Sequence, residues 1–198
     1  MVKTRVPCAL VLGLLVACSP TGANEQQRAR TFSISADPEA MVLRLSSQGG
    51  ATGSQVVRTL YSDGRLAVLD LGHDGKTILK STSIRLSHEE VEALMSRAVE
   101  GRLLEMDQRA LMRARAEAVE AVPFDEDGAM VYLEAWVTDL RVNGESLGPR
   151  STRLGIHSPW WLAQVAPEFA PARAFVEILE AIFRAERKEV PSDPRKAQ

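Results

Sequence analysis

The runs Val56-Val57-Arg58-Thr59-Leu60-Tyr61 and Leu66-Ala67-Val68-Leu69 flank the pair Asp63-Gly64, and no other stretch constrains the chain as tightly. β-Branched and aliphatic residues favour extended backbone, and Asp-Gly accepts the positive φ angles of a type I′ turn. The two runs are therefore expected to fold back on each other as a hairpin. Neighbouring segments extend it. Met41-Val42-Leu43-Arg44-Leu45 reads as a strand ahead of a Gly/Ser-rich loop, Ser46 to Ser54, and Ile78 to Leu86 reads as a strand after the turn Gly72-His73-Asp74-Gly75-Lys76. The expectation is an antiparallel meander of about four strands.

Helical patterning takes over at Ser87-His88-Glu89-Glu90, which has the form of a capping box: the Ser87 hydroxyl accepts an amide proton three residues on, and the Glu90 carboxylate reaches back. Val91, Leu94, Met95, Ala98 and Val99 recur at helical spacing, and Gly101 is expected to end the helix. Asp107 to Val122, rich in Ala, Arg and Glu, predicts a second and more exposed helix, stopped by Pro123 and the acidic turn Asp125-Glu126-Asp127-Gly128. A second β region runs from Met130 to Val137 and on toward Arg141-Val142, turns at Asn143-Gly144 and returns through Arg153 to His157. Ser158-Pro159 opens a short helical turn bearing Trp160 and Trp161. Phe175, Val176, Ile178, Leu179, Ile182 and Phe183 then define an amphipathic helix that should lie across the sheet. Strands grouped before helices, twice over, predict one α+β domain over residues 39–187, a mainly antiparallel β-sheet with two to four helices packed on one face. Residues 188–198, dominated by Lys, Pro and Asp, are expected to form a disordered tail.

At the N-terminus, Lys3 and Arg5 precede an apolar stretch from Val6 to Val16, the layout of a secretory signal. The stretch is too short to span a bilayer, which takes about 20 apolar residues. It ends in Leu15-Val16-Ala17-Cys18, which resembles the lipobox of bacterial lipoproteins. The resemblance implies that residues 1–17 are a signal peptide, that the chain is cut before Cys18, and that the thiol and the new amino terminus are both acylated. The lipid bilayer would then be a partner through Cys18, with residues 18–38, polar apart from Phe32 and Ile34, serving as a flexible tether. In that family Ser19 after the cysteine points to the outer membrane, facing the periplasm, in hosts with two membranes. The alternative is an ordinary signal peptide cut at Ala17 beside an incidental cysteine.

Cys8 lies in the segment that would be removed, so the remaining chain of about 180 residues has no disulfide and must rest on a hydrophobic core. Loss of Lys3 and Arg5 takes the formal net charge from −2 to about −4, which gives no general attraction to nucleic acid.

Several constellations hold residue types capable of chemistry. Gly144-Glu145-Ser146-Leu147-Gly148 fits the G-x-S-x-G pattern of a serine hydrolase, with His157 downstream, but the elbow needs a strand before and a helix after, whereas Asn143-Gly144 makes a hairpin turn and Pro149 follows. His73, His88 and His157 lack metal-ligand spacing, and no cofactor or metal is expected. The acidic turn at Asp125 to Asp127 lacks the closing acid of a calcium loop, and the Gly49-Gly50 loop lacks the Lys-Ser/Thr that cradles phosphate. Arg109, Arg113 and Arg115 form a basic patch, read as a solvated face. Trp160 and Trp161 cannot both enter one core from one helical turn, so one is expected at the surface as a candidate contact residue.

The order of β block, helix, β block, helix, with Ser47-Gln48-Gly49-Gly50 after the first strand, is similar to emfourin-type metalloprotease inhibitors. That resemblance implies an inhibitory or accessory domain and carries over no inhibitory residue; the Gly49-Gly50 loop itself reads as a flexible connection or a contact loop. Together these features predict a non-catalytic, lipid-anchored binding or scaffolding protein of the bacterial envelope. Its partner would be another envelope protein or a protease. The alternatives are an inhibitor of an extracytoplasmic protease and a hydrolase around Ser146.

Overall fold

The computed structural model describes residues 29–49, 55–118 and 128–189. Expectations for residues 1–28, for Gly50, for the acidic turn at Asp125 to Asp127 and for the tail beyond 189 lie outside them. The chain is an α+β fold with two antiparallel sheets. The large sheet takes β2 (Met41–Gln48), β3 (Gln55–Tyr61), β4 (Arg65–Leu71), β5 (Ile78–Arg85), β6 (Met130–Val137) and β9 (Arg150–His157) in the order β5-β4-β3-β2-β6-β9. The small sheet joins β1 (Arg30–Ser33), β7 (Asp139–Val142) and β8 (Glu145–Ser146) in the order β1-β7-β8. Four helices accompany them: α1 (His88–Glu100), α2 (Gln108–Ala118), α3 (Pro159–Val165) and α4 (Ala170–Glu189), with a 3₁₀ turn at Leu103–Glu105.

The β3–β4 hairpin forms where the sequence places it, but not through a type I′ turn. Among non-glycine residues only Arg102, Asn143 and Ser158 have positive φ in the described part, and Asp63 is not one of them. Instead the Gly64 amide donates to Tyr61 O at 3.0 Å, closing a turn over Ser62 and Asp63, and Gly64 alone takes a left-handed φ of 88°. The Asp63 carboxylate caps the Arg65 amide at 2.9 Å, which holds Asp63 out of the left-handed region. This is a three-residue loop with a glycine bulge, the next most common hairpin connection. The type I′ signature appears elsewhere, at Asn143 (φ 56°) and Gly144 (φ 82°) between β7 and β8.

Register places three rows of side chains across one face of the large sheet. Ile84, Leu66, Leu60, Leu43, Ala135 and Thr152 form the first, and Thr82, Val68, Arg58, Leu45, Leu133 and Leu154 the second. Lys80, Asp70, Val56, Ser47, Val131 and Ile156 form the third. The second and third rows are apolar toward β9 and become polar toward β5, whereas the first is apolar from Ile84 to Ala135 and ends in Thr152. Helix α4 lays Phe175, Ile178, Leu179 and Ile182, all essentially inaccessible, into the same core as Val91, Leu94 and Met95 of α1. Each such side chain contributes about 1.5–3 kcal/mol by leaving water.

The capping box of α1 is present: Glu90 N donates to Ser87 Oγ at 3.2 Å and Ser87 N to Glu90 Oε2 at 2.9 Å. Lys188 of α4 meets the same carboxylate at 3.2 Å, so the cap also ties two helices together. Gly101 does end α1, for a different reason from the one expected. Its φ is −70°, and the left-handed residue is the next one, Arg102. Glycine is required because a Cβ at 101 would lie 2.4 Å from Ala174 Cβ of α4.

β1 departs most from the sequence reading. It falls inside the stretch 18–38 taken as tether, yet pairs residue for residue with β7, Arg30 opposite Val142 through Ser33 opposite Asp139. Thr138 seals the far end by donating both its amide and its hydroxyl to Ser33 O. An ion pair from Arg30 to Glu105 at 2.8 Å fastens the near end. Phe32 and Ile34, two apart and packed on the core, supply the burial that pays the entropic cost of ordering this segment. Helix α4 runs to Glu189, two residues past the expected domain limit of 187.

Gly64→Ala is expected to destabilise the fold by more than about 2 kcal/mol, because its Cβ would stand 2.4 Å from Leu86 O in a backbone conformation that L residues avoid. Urea denaturation checks this. A loss below about 0.5 kcal/mol would mean that the hairpin and the β5 exit tolerate a different turn.

Candidate functional site

Trp160 and Trp161 separate as adjacent helical residues must. Trp161 is half-buried and packs against the core, whereas Trp160 keeps 41% of its surface exposed. Its position is fixed from two sides. Ser158, with φ 47° and its amide donating to Ala129 O at 2.9 Å, swings the chain out of β9, and Pro159 opens α3. The indole then lies nearly parallel to the Phe183 ring of α4, with centroids 6.2 Å apart and planes 7° apart.

Phe183 also carries a cation. The Arg58 guanidinium lies 4.6 Å from its ring centroid, on the core-facing side of β3, and the residue is only 8% exposed. A buried guanidinium needs compensation, and Glu186 of α4 supplies it, accepting from Nε at 2.5 Å and from Nη2 at 3.2 Å. Trp160, Phe183, Arg58 and Glu186 thus form one linked cluster at the C-terminal part of α4. Beyond it opens a groove of about 470 Å³ over the polar corner of the sheet, where Val56, Val68 and Ile84 provide apolar floor and Asp70, Lys80 and Thr82 the polar groups. Asp70 Oδ1 is buried there and accepts no hydrogen bond from the described residues.

The turn leading into β5 is built around Asp74. Its carboxylate accepts from the Thr77 hydroxyl at 2.6 Å and from the Thr77 and Lys76 amides at 2.8 and 2.9 Å. These bonds, the Thr77 hydroxyl first, lower the Asp74 pKa from the ordinary 3.8 to about 2.

The structure scatters the other sequence candidates. The Ser146 hydroxyl donates to Asp139 Oδ1 at 2.5 Å, within the small sheet, and holds that carboxyl below its usual range. Ser146 precedes the Arg150 end of β9 while His157 closes the opposite end, roughly 20 Å away at strand rise, so the two are not brought together. His73 is exposed in the β4–β5 turn, and His88 opens α1 with Glu92 at 3.2 Å. Among the described residues no group of three or more His, Cys, Asp or Glu is placed to hold a metal ion. Arg109 and Arg113 are exposed on α2 and Arg115 is half-buried. Gly49 is exposed at the end of β2 with φ 107°, and Cys18 and Gly50 lie outside the described residues. No described helix is long and apolar enough to cross a membrane. Compared with protein-family models and with curated proteins, the chain matches none.

Sequence reasoning missed Arg58, Phe183 and Glu186 as a unit. One signal was available: Val56, Arg58 and Leu60 share a face of β3, which puts an arginine in the middle of an apolar row.

Two outcomes follow for this region. Glu186→Ala, which strands the Arg58 cation, should cost about 2–3 kcal/mol and raise the solvent accessibility of Trp160, read by acrylamide quenching. A stability loss without any change in quenching would show that Trp160 holds its position without the cluster. A depressed folded-state pKa stabilises above the unfolded value and loses that contribution on acidification, so the β4–β5 turn should loosen as pH falls from about 4 toward 2. Amide exchange at Thr77 reports it, and Asp74→Asn should flatten the response.

Proposed function

We propose that this chain is a non-catalytic binding domain held at a bacterial envelope by lipid on Cys18. The observation that carries the binding part is Trp160. A large indole left 41% exposed gains little for folding, yet it is held in one orientation by the Phe183 ring and, through it, by Arg58 and Glu186. A rigid exposed aromatic loses little entropy on contact and offers a large amphipathic face, the profile of an interface hot spot.

The anchor is supported by the order Lys3 and Arg5, apolar run, Leu15-Val16-Ala17-Cys18. With β1 beginning at Arg30, the chain between Cys18 and the first strand is about twelve residues. Fully extended, that length reaches roughly 40 Å, so the domain works close to the surface that holds it. A partner would be another envelope component within that reach.

Trp160→Ala is expected to keep the fold, with about 1 kcal/mol or less of lost stability. It should reduce by tenfold or more the yield of a discrete crosslinked adduct formed by the full chain in intact cells. An adduct of unchanged yield in that variant would remove the support for binding through Trp160. Cys18→Ser should abolish palmitate incorporation and release the protein from the envelope fraction, and unchanged labelling would overturn the anchor.

A further inference from the structure

The two edges of the large sheet are treated in opposite ways. At β9 the backbone of Gly155 is covered: the Gln108 amide accepts from Gly155 N at 2.7 Å and donates to Gly155 O at 3.1 Å, standing in for a neighbouring strand, and the Thr152 hydroxyl ties β9 to Met106 O at 3.0 Å. Among the described residues nothing comparable occurs at β5. It pairs with β4 on one side, and among the described residues no strand lies along the other. Residues 78–83 are exposed, Ile78 by 58% and Leu79 by 62%, which is open backbone beside uncovered apolar surface.

Along the strand itself the charge has one sign, and an acid, Asp70, stands opposite Lys80 on β4. From Lys76 through Ser87 the chain has Lys76, Lys80 and Arg85 and no acidic residue. Arg85 is held by Asp63 at 2.8 Å, but Lys80 makes no ion pair among the described residues and lines the groove over the polar corner of the sheet. An uncovered edge of this kind is a template for strand addition. A second copy of the chain would bring the same positive charge to this edge, and like charges set opposite each other across a strand pair repel. A strand bearing carboxylates meets the opposite situation.

We propose that β5 is a docking edge for an extended, acidic segment of a partner protein, which adds to the sheet as a seventh strand and places a carboxylate at Lys80. The proposal rests on the binding role argued above and gives it a partner chemistry. The backbone of the segment pairs with the outer amides and carbonyls of β5, and its apolar side chains, alternating with the acids, cover Ile78 or Leu79 according to register.

The test uses the full chain and two capped ten-residue peptides, one alternating Glu and Val, the other Lys and Val, followed by hydrogen exchange with mass spectrometric readout. The Glu/Val peptide should slow exchange over residues 78–85, and Lys80→Glu should weaken it at least tenfold and reverse the preference toward the Lys/Val peptide. Lys80 is exposed, so the variant is expected to fold as the parent does. Equal protection by both peptides, protection confined to other segments, or indifference to Lys80→Glu would overturn the proposal. So would protection of residues 78–85 that rises with protein concentration in the absence of peptide, because a second copy would then be the occupant. If the edge fails while the Trp160-dependent adduct persists, only the edge is wrong. If both fail, the binding role falls too.

Discussion

The contact on which this molecule depends is the burial of the apolar side of α4 in the core it shares with the large sheet and α1. A helix of 20 residues is about 30 Å long, comparable with the width of six strands at about 4.8 Å spacing, so one helix can cross the whole sheet. Its apolar side chains do not last that far. Phe175, Ile178, Leu179 and Ile182 are fully covered, Phe183 only half, and beyond them come Glu186 and the basic C-terminal turn. Where the helix changes character the sheet does as well, with Arg58, Asp70, Lys80 and Thr82 replacing leucines. The polar corner, the cluster under Trp160 and the groove are therefore one consequence of where the mutual burial ends.

Much of the fold was written locally. Alternation in β3, β4 and β6, the capping box at Ser87 and Glu90 and the spacing of α1 and α4 depend on neighbours within a few residues, and those elements appear where the pattern puts them. Legibility failed where a partner distant in sequence decides. β1 is a strand only because β7, more than a hundred residues on, offers it an edge, although Phe32 and Ile34 hinted at alternation. The need for glycine at 101 lies in Ala174, on another helix, and turn geometry at Asp63 was decided by a side chain that could equally have pointed away.

The candidate site shows the same division. That one of two adjacent tryptophans faces solvent follows from helical geometry, and Trp160 does so. What holds it still could not be read, because Arg58, Phe183 and Glu186 meet only through the register of β3 against α4. The open edge at β5 was equally hidden. Its strand is plain in the sequence, but strand order is a property of the whole sheet, and so is the use of Gln108 to close the opposite side.

The pairing of β1 with β7 has a mechanical consequence. Any tension arriving through the N-terminal residues meets four strand pairings, the Arg30–Glu105 ion pair and the packing of Phe32 and Ile34 before it meets the six-stranded sheet. Those contacts are few, peripheral and able to re-form, so they act as a fuse in series with the domain. A pull strong enough to open them would free several more residues ahead of the domain and leave the pairing of the six-stranded sheet intact.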